Sequence, residues 1–307
     1  MEFGKVPENE IAGIDFTLPP DGKQTQLTLS GKARPKPDFY VGCAKWGRKE
    51  WLGMIYPLKT KEADFLDHYV KHFNSIELNA MFYSVPKIDQ VKKWKEKADQ
   101  NAMDGFLFFP KFPRLISHLK RLQNVEEVTN QFLAGVSEFG KFLGPCFLQL
   151  GENFTPAQLP VLEAYLKTLP EDFKVFVELR HKDWFGNPEV RAQTFSMLAQ
   201  LNRGSVITDA SGRRDCVHME LSTPEAFIRF VGNGQKYAAS DFARVDAWVV
   251  RLKEWLDKGL EKVYFFLHQH DERDTPVLAN YTIKVFNEQL GSQLAEVVFI
   301  PEQKGLF

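Results

Sequence analysis

Eight times between residues 39 and 269 a short apolar run of strand type recurs, with helical patterns between most of the runs. This alternation restricts the available folds more than any other feature of the chain. The runs are FYVGCAKW (39–46), SIELNA (75–80), FLFFPKF (106–112), PCFLQLG (145–151), KVFVELRH (174–181), SVITDA (205–210), AFIRFVG (226–232) and KVYFFLHQ (262–269). Continuously apolar strands alternating with helices indicate a parallel sheet covered on its outer face. Eight such units in 307 residues point to an α/β (β/α)8 TIM-type barrel. A doubly wound open sheet is the alternative. It would need a glycine-rich phosphate loop after the first strand, and GCAKWGRKEWLG has its glycines at other spacings.

Helix signals fall between the strands. Residues 61–72 and 90–98 are amphipathic, Asn124 to Glu127 reads as a capping box, and Thr155-Pro156 with Gln158 supplies an N-cap, a proline at N1 and a glutamine at N3. Asn187-Pro188 and Thr275-Pro276 open two more helices, and 246–258 supplies the one before the eighth strand. The sixth unit is irregular, because residues 210–226 hold no convincing amphipathic helix. Residues 1–37, with Pro19-Pro20 and Pro35 and Pro37, read as an N-terminal extension, a surface arm or disordered segment in which 26–29 can add a short edge strand. Residues 38–307 are expected to form one barrel domain.

A 44% hydrophobic chain of this length can bury a large core, and a formal net charge of −1 excludes a polyanion binder by overall charge. The three cysteines, Cys43, Cys146 and Cys216, lack metal or CxxC spacing, which suits buried reduced thiols. No window approaches the ~20 apolar residues of a membrane span, and the amino terminus lacks a signal-peptide core. The expectation is a soluble, cytoplasmic protein with no membrane partner.

In a barrel the carboxyl ends of all strands share one mouth. There the chain places Trp46, Glu77, Asn79, Lys111, His118, Gln149, Glu178, Arg180, His181, Asp209, Arg229 and His268. Glu77 with Asn79 and Glu178 with Arg180 stand two residues apart, so each pair can point inward together, while His181 has the opposite parity. Cations outnumber carboxylates, which suggests a small anionic ligand carrying phosphate or carboxylate. The leading reading is an enzyme acting on a small or nucleotide-like anion by acid/base chemistry. Glu77, Glu178 and Asp209 are the catalytic candidates; Trp46, Asn79, Lys111, His118, Gln149, Arg180, His181 and Arg229 are the ligand-holding ones. The plainer reading is a structural ion-pair network of Glu77, Glu178, Arg180 and Arg229. A binding module for nucleic acid or a phosphorylated ligand, drawing on basic residues in 111–121 and 213–214, is the non-catalytic alternative. No cofactor is expected; a divalent metal held by the HQH of 268–270 with Asp209 or Glu77 is a weaker option. Glycosidase chemistry needs two carboxyl groups, which in the commonest class of such barrels end strands four and seven, where this chain has Gln149 and Arg229. A hydrolytic triad lacks a recognisable nucleophile.

The pieces VGCAKW…EWLGMIYP, FNSIELNAMFYSVP, FFPKFPRLISH, LGPCFLQLGENF and FVELRHKDWF occur in an order that resembles the YecE-like proteins, known as domain of unknown function 72. The resemblance runs from about Phe39 to Leu290 and implies a TIM-type barrel without an established reaction. It implies a characteristic set at Trp46, Tyr56, Pro57, Glu77, Asn79, Phe82, Tyr83, Lys111, His118, Gln149, Glu178, Arg180, His181, Trp184 and Asp209. The last strands depart from the family pattern, with Arg229-Phe230-Val231-Gly232 in place of an arginine followed by His-Gly, and His268-Gln269 in place of asparagines.

Overall fold

All eight apolar runs form strands: β1 (Asp38–Cys43), β2 (Ser75–Leu78), β3 (Leu107–Pro110), β4 (Cys146–Gln149), β5 (Val175–Glu178), β6 (Gly204–Asp209), β7 (Glu225–Gly232) and β8 (Lys262–Gln269). The computed structural model describes residues 3–85 and 87–301. The strands are parallel, in the order β3-β2-β1-β8-β7-β6-β5-β4. The sheet curls until β3 meets β4, where bridges at Phe108–Leu143 and Lys111–Phe147 and a 3.0 Å bond from the Phe112 amide to the Phe147 carbonyl draw the seam together. The result is a nearly closed TIM-type barrel.

Period-two alternation divides the apolar residues between two cores. Phe109, Phe147, Phe176, Val206, Phe227, Tyr264 and Phe266 fill the barrel itself, with edge-to-face contacts such as Phe109 to Phe266 at 4.8 Å. Gly204 makes room for this floor, because a Cβ there would lie 2.2 Å from the Phe176 ring. Residues of the other parity pack outward against the helices in a larger cluster that includes Trp51, Trp184, Trp248 and Trp255.

The helices are α1 (Lys23–Thr28), α2 (Phe65–Tyr69), α3 (Ala80–Tyr83), α4 (Ile88–Asn101), α5 (Glu126–Ser137), α6 (Leu159–Thr168), α7 (Asp183–Gly186), α8 (Pro188–Gln200), α9 (Ala238–Asp257) and α10 (Thr275–Leu290). Two sequence caps form as expected: Asn187 Oδ1 accepts the Glu189 and Val190 amides, and Gln158 Oε1 accepts the Thr155 amide at 3.1 Å. The box at Asn124 does not form. Asn124 has φ of +52° and sits in a left-handed turn, so α5 starts two residues later with no side-chain cap.

Between β6 and β7 the only helical turn among the described residues is Arg214–Cys216. The place of the sixth barrel helix is taken from the other end of the chain. Residues 23–28 form α1 rather than an edge strand, and α1 lies on segment 219–221: Thr25 Oγ1 donates to the Met219 carbonyl at 2.7 Å and accepts from the Leu221 amide at 2.6 Å, while Thr28 Oγ1 donates to the Leu221 carbonyl at 2.8 Å. Glu220 ties it to α8, accepting from the Gln24 amide at 2.9 Å and from Arg191 Nε at 2.7 Å. Asp21 ties it to α9 through Arg251 and Trp255 Nε1, both at 2.9 Å. The three cysteines are buried and free. Among the described residues no helix is long and apolar enough to cross a membrane.

Candidate functional site

On six strands, the position that follows the last inward floor residue on the same face is polar. Phe109 is followed two residues on by Lys111, Phe147 by Gln149, Phe176 by Glu178 and then Arg180, Val206 by Thr208, Phe227 by Arg229, and Phe266 by His268. With Glu77 and Asn79 from β2 and its exit, these residues form a polar layer on the aromatic floor.

Arg229 is its centre. The guanidinium, fully buried, bonds Glu77 through Nε at 2.7 Å and Nη2 at 2.8 Å, and Glu178 through Nη1 at 2.8 and 3.0 Å. Glu77 also accepts from Asn79 at 2.8 Å and lies 3.0 Å from His268 Nε2. Glu178 also accepts from Gln149 at 2.6 Å, Arg180 Nε at 3.0 Å and Thr208 Oγ1 at 3.1 Å. Burial alone would raise both acids. Arg229 with His268 outweighs it at Glu77 and holds that carboxyl well below the usual range; Arg180, Arg229 and Lys111 bring Glu178 down to about 2. Both carboxylates are therefore ionised and saturated with donors.

Above the layer opens a cavity of about 620 Å³, lined on one side by Lys45, Trp46, Phe82 and Tyr83 and floored by Glu77, Asn79, Lys111, Gln149, Arg180, Arg229 and His268. Lys111 is the unusual group. Its Nζ donates to Gln149 Oε1 at 2.8 Å and sits 4.0 Å from the Phe82 ring centre. Burial, reinforced by Arg229 and Arg180, lowers its ammonium to about 7 against the pull of Glu178 and Glu77. Phe3, from the N-terminal segment, closes the cavity on another side, its ring 4.0 Å from the Arg180 guanidinium carbon and 4.8 Å from that of Arg213. Glu272, after β8, lines the cavity with φ of +62°, a left-handed conformation uncommon outside glycine.

The family model described as "Protein of unknown function DUF72" matches residues 40–300. The chain belongs to the DUF72 family. Its relatives include UPF0759 protein YecE of Escherichia coli, 28% identical over 287 residues that cover 88% of this chain and all of that protein. UPF0759 protein YunF of Bacillus subtilis is 25% identical over 169 residues, 52% of this chain and 56% of that one. Among solved structures, a DUF72 protein of Enterococcus faecalis superposes with a TM-score of 0.63 at 15% identity, covering 87% of this chain and all of that one. One of Thermotoga maritima gives 0.61 at 20%, covering 82% and 99%.

In this DUF72 barrel, Trp46, Glu77, Asn79, Lys111, Gln149, Arg180 and Arg229 share the one cavity, and Glu178 lies directly behind it. Three candidates do not. Asp209 is one residue off the inward parity: Thr208 points in, and Asp209 faces the helices, where it accepts from Arg244 Nη2 at 2.7 Å, Trp248 Nε1 at 2.8 Å and Arg214. It is a structural anchor for α9. His181 follows the end of β5 on the opposite parity and stays at the periphery, its Nδ1 accepting the Asp183 amide at 3.2 Å. His118 lies in an adjoining recess with Gly151, Asn153 and Arg213 that shares Arg180 and Phe3 with the cavity. It sits on a π-helical turn, Leu115–Leu119, of the kind that re-aims side chains near sites. Burial and then Lys111 lower its imidazole to about 4.

Trp184 is core, its Nε1 donating to the Phe154 carbonyl at 2.8 Å. Of the two carboxylates considered with the HQH for a metal, Asp209 is turned away, while Glu77 lies 3.0 Å from His268 Nε2, a nitrogen that also stands 3.4 Å from the Arg229 guanidinium. Among the described residues no group of His, Cys, Asp and Glu gathers around a metal-sized space. Thr208 and Glu272 were missed by sequence reasoning. The signal for Thr208 was available, two residues past an inward residue; that for Glu272 was not, because a loop's φ is invisible in composition.

Proposed function

We propose that this DUF72 chain is an enzyme that takes a small organic anion into the barrel mouth and acts on it by proton transfer. The supporting observation is Arg180 on the cavity wall, a guanidinium whose donors are not all taken by the carboxylates Glu77, Glu178 and Glu272 around the mouth. Arg229 is consumed by two carboxylates, but Arg180 spends only one nitrogen on Glu178 and donates nothing else from its side chain to the described residues, so it has donors left for a ligand. Glu77 and Glu178 are poor proton carriers, because every lone pair facing the layer is engaged. Their work is to fix the guanidinium groups. The proton-transfer group that fits neutral pH is Lys111, at about 7.

Trp46 lines the cavity and reports on it. Titration with glyoxylate and inorganic phosphate should change its fluorescence, and Arg180→Gln should weaken both by about tenfold or more, the value of one charge-assisted hydrogen bond. Equal binding of neutral analogues, or an unchanged affinity in the variant, would remove the anion reading. The non-catalytic alternative draws on exposed Arg114, Lys120 and Arg121 beside the mouth. A duplex oligonucleotide would then bind with affinity falling by about 0.9 log units per log unit of salt for each phosphate contacted.

A further inference from the structure

We propose that Lys111 is an amine nucleophile that forms a Schiff base with a small aldehyde or ketone whose carboxylate or phosphate is held by Arg180. This rests on the anion reading above and deepens it by naming the substrate class.

Lys111 stands at the β3–β4 seam, 7% exposed, with its Nζ on the cavity wall. Its hydrogen bond is to a neutral group, and no carboxylate lies within ion-pair distance of it among the described residues. Gln149 is held in one orientation, because its Nε2 donates to Glu178. Its Oε1 therefore faces Lys111 and takes one N–H, leaving the rest of the nitrogen to the cavity. The charged groups around the amine are Glu77 from β2, Glu178 and Arg180 from the end of β5 and Arg229 from β7, and the imidazole of His118, on the turn after β3, is lowered to about 4. Both acids already serve the guanidiniums, so they neutralise those rather than Lys111. The Phe82 face favours the ammonium, but burial beside two guanidiniums outweighs it. A neutral, water-shielded amine beside an anion-binding arginine is the arrangement that imine formation requires.

The step balances without an oxidant or reductant. The nitrogen lone pair adds to the carbonyl carbon, the C=O π pair moves to oxygen, and a proton passes from nitrogen to that oxygen. The oxygen then leaves as water with the second nitrogen proton, and C=N forms. Hydrolysis reverses it.

The test uses the full chain with glyoxylate or the neutral glycolaldehyde, trapping with cyanoborohydride and mapping the modified lysines. Lys111 should be modified ahead of exposed Lys45 and Lys120. Its rate should level off above about pH 7. Glyoxylate should outpace glycolaldehyde, and Arg180→Gln should cut that advantage by about tenfold. Lys111→Gln removes the label, and if that variant fails to fold, mapping on the unaltered chain still decides. Modification of Lys111 with no glyoxylate preference would keep the nucleophile and discard the anion site. Glyoxylate and phosphate binding seen by fluorescence with Lys111 no more reactive than Lys45 would overturn the proposal and leave the anion site standing.

Discussion

Arg229 stands between two buried carboxylates, and replacing it with methionine would leave Glu77 without a guanidinium partner, facing a Glu178 held by Arg180 as its one remaining guanidinium. Removing one partner from such a network costs roughly 3–5 kcal/mol, so Arg229→Met should lower the urea midpoint steeply or prevent folding. The pH dependence follows from the same bonds. Glu178 is depressed to about 2, so its contribution is fully present above the unfolded value near ~4.3 and is lost as pH falls through the folded one. Acid unfolding should therefore be shallower for Glu178→Gln than for the unaltered chain between about pH 4.3 and 2. Lys111 has the opposite bearing. Its ammonium is disfavoured in the folded state, so the unfolded chain holds that proton longer and stability rises between about pH 7 and ~10.4. Lys111→Met should raise stability at pH 6, and the gain should shrink toward pH 10; an equal gain at both would mean that the amine is not perturbed. The inward residues were legible wherever a strand carried a floor aromatic two positions earlier, as at Lys111, Gln149, Glu178 and Arg229. At β6 the floor residue is Val206, which looks like every other apolar residue in SVITDA, and the register slipped by one to Asp209.

The missing sixth helix was readable in the sequence between β6 and β7, but its replacement was not. KQTQLT carries no strong helical periodicity, and α1 is six residues long, too short to persist without tertiary contacts. What holds it is side-chain bonding to an extended segment almost 200 residues away, which local pattern cannot show. Thr25→Val keeps the shape and removes both bonds, leaving the Leu221 amide buried without its acceptor. The expected cost is roughly 1–3 kcal/mol in urea denaturation, and a change within experimental error would mean that α1 does not seal the barrel there. The left-handed turn at Arg121, Leu122 and Asn124 defeated the capping expectation for a similar reason, since the turn is set by how the π-helical turn before it ends.

At the scale of the molecule, the barrel was legible because eight apolar runs have a parallel sheet as their simplest burial, and closure then brings eight carboxyl ends together. A formal net charge of −1 says nothing of how charge is placed, and the mouth gathers Lys45, Lys111, Arg180 and Arg229 beside Glu77 and Glu272. The passage of the N-terminal segment over that mouth, with Phe3 against Arg180, has no sequence signal at all. The shared cavity and its free arginine donors are what every functional statement depends on, and anomalous diffraction from crystals soaked in selenate tests them directly. A selenium peak should lie within hydrogen-bonding reach of both Arg180 and Lys111 above the aromatic floor. Selenate found only on exposed lysines and arginines, with none in the cavity at the same concentration, would contradict an anion site at the barrel mouth.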